Sequence, residues 1–171
     1  MKHPPKNDLI LAAHPTSHGF GWAFFERPLF LSDFGIASAK GQRSGKFLER
    51  FAELLDTRKP SALVLEKLNA DDGRYTDRTH ELFDAMRGMA KSRGIDVHVY
   101  DRGEVGMVVA GDHKATRHAL AQAVVEQIAI PRSRLPRKRK LWDPEDHRQC
   151  LFDAAALGIT HILLSEGQSA A

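Results

Sequence analysis

The chain has 171 residues, of which 42% are hydrophobic and 27% charged, and its formal net charge is +3. These values are typical of one soluble globular domain, and they exclude a disordered chain, whose hydrophobic fraction would be low. The single cysteine, Cys150, excludes an internal disulfide and a Cys-x-x-Cys zinc site, so we expect a reducing, cytoplasmic location.

The apolar run before His14 is too short for a signal-peptide core or a membrane span, so we expect no membrane association. We expect a single domain over residues 1–171, with an N-terminal tail over 1–7 and a C-terminal tail over 162–171.

The first part of the chain predicts three consecutive β-strands. An apolar run from Asp8 to Ala13, a Pro-Thr-Ser-His-Gly turn and a second run from Phe20 to Phe25 predict a hairpin. Leu29 to Ile36 predicts a third strand, so the chain opens as an antiparallel meander.

Helices and strands alternate after this meander. The predicted elements are a helix over 45–58, a strand over 61–66, a helix over 76–93, a strand over 95–100, a helix over 114–128 and a last helix from about 144 to 158. Asp143 is the predicted cap of the last helix, with Pro144 in its first turn. This order predicts an α/β fold in which helices flank a mixed, five-stranded sheet.

Two acids stand at unusual positions in these elements. Glu66 ends an otherwise apolar strand, and Asp153 lies between apolar residues and alanines in the last helix. Aspartate is unfavourable in the middle of a helix and costly to bury unpaired. Each acid is therefore either a surface or salt-bridge residue or a functional carboxylate, and the residues alone leave both interpretations open.

Positive charge is concentrated just before the helix that carries Asp153. A charge run is commonly a solvated loop, but two prolines and Trp142 accompany this one, and it would lie beside the acids. We therefore interpret it as a surface for nucleic-acid phosphates. Its candidate residues are Arg132, Arg134, Arg137, Lys138, Arg139 and Lys140.

The ordered set of motifs resembles the RuvC-type Holliday-junction resolvases, which have the ribonuclease H-like fold. LILAAHPTSHGFGWAFFE resembles their opening hairpin, SALVLE the strand that ends on their second acid, and FDAAALGITH their final helix. VHVYDRGEVGMVVAGDHKAT resembles their last strand and the connection after it, which places Lys114 at or near a DNA-contacting lysine. The resemblance extends from about Leu9 to His161.

The resemblance implies a magnesium-dependent endonuclease that cuts branched DNA, commonly as a homodimer. Clustered carboxylates hold two metal ions about 3.5–4 Å apart in such reactions. Glu66 and Asp153 would be catalytic, metal-binding carboxylates. Asp146, seven residues before Asp153, could supply a further catalytic acid from the same helix face.

The chain departs from the family pattern where the first catalytic aspartate would stand, because that position is His14. A neutral imidazole offers one nitrogen and no negative charge, so it cannot bridge two magnesium ions as a carboxylate does. Cys150 likewise stands where the family has an acid or a histidine.

Several alternatives follow from these departures. His14, Cys150, Glu66 and Asp153 could together bind zinc or manganese, which such a ligand set prefers to magnesium. The site could instead keep one weakly held metal and cleave slowly, or it could have lost catalysis and kept binding to DNA or RNA structure, or an adaptor role. His14 could also be simply a satisfied, partly buried histidine.

Overall fold

The computed structural model describes residues 8–16, 19–38, 44–68, 75–138, 140, 142, 146 and 148–169. The elements in chain order are β1 (Leu9–Thr16), β2 (Gly19–Glu26), β3 (Phe30–Ser38), α1 (Ser44–Arg58), β4 (Ala62–Glu66), α2 (Asp77–Ser92), β5 (Asp96–Tyr100), α3 (Arg102–Ala110), α4 (Arg117–Gln127), a 3-10 turn (Arg132–Arg134) and α5 (Gln149–Ser169).

The five strands of the described chain form one mixed sheet in the order β3-β2-β1-β4-β5. The pairs β1–β2 and β2–β3 are antiparallel, whereas β1–β4 and β4–β5 are parallel. The predicted α/β class, with its antiparallel leading strands, is confirmed. β1 lies at the centre of the sheet, and every residue of it before Thr16 is buried.

Helices cover both faces of the sheet, so alternate residues of β1 enter different cores. Ile10 and Ala12 pack in the core beneath α3, α4 and α5, whereas Leu9 and Leu11 pack in the core beneath α1 and α2. His14 continues the Ile10 and Ala12 series. Its side chain therefore faces the α5 layer, in the interior of the protein.

The structure adds a helix, α3, that the sequence interpretation treated as a connection. The Asp101 carboxylate accepts a hydrogen bond from the Glu104 N–H, and the Glu104 carboxylate accepts one from the Asp101 N–H. This reciprocal capping box starts the helix, and Gly111, at φ 73°, ends it. The Asp-x-x-Glu spacing before an apolar run was the signal that could have predicted it.

Both predicted ends of the last helix are wrong, because α5 extends from Gln149 to Ser169. The predicted cap Asp143 and Pro144 lie outside the described residues. Gly158 lies inside the helix and does not end it. A Cβ at this position would overlap the ring of Phe25, so the glycine allows α5 to pack closely against β2. The helix continues through residues 162–169, which we expected to form a tail.

In the part of the chain that the structure describes, α5 alone has the length and apolar composition of a membrane-spanning helix. Most of this stretch is buried inside the fold, however, as in the core helix of a folded domain.

The close contact between α5 and β2 depends on Gly21, which pairs with His14 across the β1–β2 ladder. A Cβ on Gly21 would overlap the backbone carbonyl of Cys150 at the start of α5. Since Asp153 lies one turn further along α5, this contact also sets the distance between Asp153 and the sheet.

We expect Gly21→Ala to destabilise the fold by about 2–3 kcal/mol, because the new methyl group meets backbone that cannot move aside without shifting α5. Urea unfolding followed by circular dichroism measures this cost. Gly88→Ala is the matched control, since a Cβ on this exposed helical glycine meets nothing within 4 Å and should stabilise α2 by up to about 1 kcal/mol. Equal stabilities for the two variants would contradict the proposed packing role.

Candidate functional site

The structure brings His14, Glu66 and Asp153 together in the interior. His14 lies near the end of β1, Glu66 is the last residue of the adjacent parallel strand β4, and Asp153 lies in α5 above them. All three side chains are buried, with relative exposures of 3%, 7% and 8%. Glu66 faces α5 because it continues the series of Ala62 and Val64, which pack in the same core.

The imidazole of His14 lies between the two carboxylates. Its Nδ1 is 3.5 Å from Glu66 Oε2, and its Nε2 is 3.6 Å from Asp153 Oδ2. Both separations are longer than an ordinary hydrogen bond, and Nδ1 has no hydrogen-bond partner among the described residues. The ring therefore takes up the space between the acids without a short bond to either.

Other side chains of the protein also contact the two acids. The Tyr75 hydroxyl donates a hydrogen bond of 2.6 Å to Glu66 Oε2. Burial and the neighbouring Glu66 carboxylate raise the pKa of Tyr75 well above its usual value, so this hydroxyl stays protonated. Gln149 Nε2 donates to Asp153 Oδ1 at 3.3 Å, and the Arg117 guanidinium lies 3.6 Å from Asp153 Oδ2.

These residues do not fit a pair of magnesium ions. The cavity between them has a volume of about 20 Å³, room for roughly one water molecule. Among the described residues, the side chain between Glu66 and Asp153 is the His14 imidazole, which offers no carboxylate to bridge two ions about 3.5–4 Å apart. In their present arrangement, no three or more His, Cys, Asp or Glu side chains of the described ranges form a group that could hold a metal ion.

Cys150 does not complete a metal site either. Burial, with the nearby Asp153 carboxylate, raises the pKa of the Cys150 thiol to about 12. In the metal-free protein, the thiol therefore stays protonated. The four-residue zinc or manganese cluster considered from the sequence does not form among the described residues.

Asp146 lies before α5 and not on its face with Asp153. Its backbone carbonyl accepts a hydrogen bond from the Gln149 N–H, and its carboxylate pairs with Arg148 at 2.7 Å. The shared helix face predicted from their spacing does not form, because the helix begins only at Gln149.

Sequence reasoning missed Tyr75, Arg117 and Gln149. Gln149 stands four residues before Asp153, and this spacing on one helix face was a usable signal. Tyr75 and Arg117 carried no such signal, because each reaches the acids from a different part of the chain.

We expect Tyr75→Phe to destabilise the protein by about 1.5–3 kcal/mol, the usual cost of losing a hydrogen bond to a charged group. Urea unfolding measures the change. The matched control is Tyr100→Phe, which removes a 2.9 Å hydrogen bond between its hydroxyl and His161 Nδ1. Burial lowers the pKa of His161 to about 4, so this ring is neutral and the loss should cost about 1 kcal/mol. A Tyr75→Phe protein as stable as the wild type would show that Glu66 does not depend on this hydroxyl.

A basic groove with a volume of about 390 Å³ opens beside the carboxylates. Arg102 and Arg117 line both the groove and the small cavity that contains Glu66 and Asp153. Arg137 and Lys138, from the predicted phosphate-binding segment, line the groove as well, while Asp146 is the acid on its wall. The groove therefore places four cationic side chains next to the site.

The other predicted phosphate contacts lie outside this groove or were not placed. Arg132 and Arg134 are exposed on the 3-10 turn, with the Arg134 guanidinium 5.2 Å above the ring of Phe34. Lys140 lies over the ring of Trp142, and Arg139 is outside the described residues. Lys114 is exposed and lines an adjoining depression with Arg102.

No family sequence model and no curated protein sequence matches the chain. Solved structures do match it in fold. Thermus thermophilus RuvC in complex with a Holliday junction substrate is 17% identical, with a TM-score of 0.73 over 95% of this chain and 97% of that chain.

Two further resolvases have a similar fold. The fowlpox virus Holliday junction resolvase is 12% identical, with a TM-score of 0.58 over 91% of this chain and 99% of that chain. The yeast mitochondrial Holliday junction resolvase is 10% identical, with a TM-score of 0.59 over 94% of this chain and 80% of that chain. The chain therefore has the fold of the RuvC-type Holliday junction resolvases that its sequence motifs predicted.

Proposed function

We propose that this protein binds branched DNA through the groove beside Glu66 and Asp153, without a pair of bound magnesium ions. The observation that carries this proposal is the basic groove, in which Arg102, Arg117, Arg137 and Lys138 lie next to the buried acids. Two structures with this fold, those of T. thermophilus RuvC and the fowlpox virus resolvase, contain Holliday junction DNA, which supports branched DNA as the ligand.

The charge distribution supports binding without metal. Carboxylates beside a DNA groove repel phosphates, and in two-metal nucleases the bound ions supply the compensating positive charge. Here the permanently charged guanidinium of Arg117 lies 3.6 Å from Asp153, and Arg102 lines the same cavity. The protein thus supplies its own cations where DNA would approach the acids.

A second candidate function is metal-dependent cleavage of the same DNA, as the fold suggests. The observation that favours it is that Glu66 and Asp153 both lie within 3.6 Å of a His14 nitrogen. One imidazole and two carboxylates suit a single manganese or zinc ion better than two magnesium ions. Such an ion would have to displace the present contacts of the imidazole with the acids.

A labelled four-way junction, compared with a linear duplex of the same arm sequence, separates the two functions. The proteins are the wild type and Glu66→Gln, each incubated with EDTA, magnesium, manganese or zinc. We expect the wild type to bind the junction in EDTA, more tightly than the duplex, and to leave its strands intact in every metal. Cutting that Glu66→Gln abolishes would establish the second function, and no binding to either DNA at low salt would refute both.

We also propose the homodimer that the resemblance implies. Light scattering coupled to size exclusion measures its mass, and a monomer at micromolar concentration would refute it.

A further inference from the structure

The two tryptophans of the chain differ sharply in burial. Trp22 lies within β2, is 7% exposed and packs edge-on against Phe24. Trp142 is 78% exposed, more than any other large hydrophobic side chain that the structure describes. Burying an exposed indole in a complex is strongly favourable, so a residue of this kind commonly marks a contact surface.

The surroundings of Trp142 favour a ligand that is both aromatic and anionic. The Lys140 ammonium lies 5.6 Å from the centroid of the indole ring, within the range of a cation–π interaction. Lys138, four residues before Trp142, lines the basic groove. Four residues span at most about 14 Å, which corresponds to roughly four base steps along one DNA strand.

We propose that Trp142 stacks on an unpaired nucleobase of the DNA whose phosphates lie in the groove. This inference rests on the proposed function. A nucleotide joins an aromatic base to a phosphate, which matches an indole next to cationic side chains. Bases inside a duplex are already stacked on both sides, so Trp142 binds a base that is open, at a branch point or in a single strand.

Intrinsic fluorescence and affinity together test this inference, using the full-length protein in EDTA with single-stranded oligothymidylate and with a four-way junction. We expect the emission of Trp142 to be quenched on binding, while Trp22 gives a constant background. Since stacking on one base contributes about 1–3 kcal/mol, Trp142→Ala should lower the affinity about 5- to 140-fold, and Trp142→Phe should retain most of it.

The matched control is Phe30→Ala, which removes the next most exposed large hydrophobic side chain, on β3. It should leave the affinity unchanged, and all three variants should keep the thermal stability of the wild type. If the wild type binds the junction, and Trp142→Ala binds the junction and the oligothymidylate as tightly as the wild type does, the stacking role is refuted and the proposed function stands. If the wild type binds no DNA at low salt, both are refuted.

Discussion

His14→Asp is expected to create a divalent metal site, so that manganese or magnesium stabilises the variant but not the wild type. The substitution replaces the ring that separates Glu66 from Asp153 with a short carboxylate at the end of β1. Three buried carboxylates then face one another, and their repulsion is relieved when a hard cation binds.

Thermal unfolding measures this effect. Without metal, the variant should melt below the wild type, because the added negative charge is buried beside two others. A metal concentration of about 100 times the dissociation constant should then stabilise the variant by about 2.7 kcal/mol. For a protein of this length, that corresponds to a rise in Tm of roughly 5–11 °C.

The control is His14→Asn, which also removes the ring but adds no charge. Neither metal should change its Tm. If His14→Asp shows no response to metal, or if the wild type responds equally, His14 is not the residue that prevents metal binding.

Neutralising the basic groove is the second substitution with a large expected effect. Arg137→Gln combined with Lys138→Gln removes two of the four cationic side chains that line it. Two lost phosphate contacts should reduce the slope of log affinity against log salt by about 1.8, and lower the junction affinity about 30-fold at 0.15 M salt. Fluorescence anisotropy at several salt concentrations gives both quantities.

The matched control removes two charges from the opposite layer of the protein. Arg87 and Lys91 are exposed on α2, whose buried face packs in the other core. Arg87→Gln combined with Lys91→Gln should leave the salt slope close to that of the wild type. An equal loss in both double variants would mean that the chain binds DNA through its general charge and not through the groove.

Much of the fold could be predicted because local patterns and tertiary packing agree. The apolar runs of β1, β2 and β4 are buried strands, and the alternation of side chains places His14 and Glu66 on one face of neighbouring strands. Once Asp153 lies on the helix over that face, the meeting of all three follows.

The parts that could not be predicted depend on contacts between distant segments. Gly158 is typical of a helix end in sequence, but its role is set by the ring of Phe25 across the core. Arg117 neutralises Asp153 only because α4 packs beside α5, and Tyr75 reaches Glu66 from the segment before α2. No local sequence pattern predicts these long-range contacts. The contacts of Arg117 and Tyr75 determine which side chains surround the two acids.

In the proposed function, the His14 ring between Glu66 and Asp153 and the Arg117 guanidinium beside Asp153 take the place of metal ions. Electron paramagnetic resonance of manganese, titrated into the wild-type protein with and without a four-way junction, tests it most directly. We predict that adding the protein does not lower the signal of free manganese, and that adding the junction lowers it only as much as the DNA does alone. One or two manganese ions bound per chain, and lost in Glu66→Gln, would contradict it.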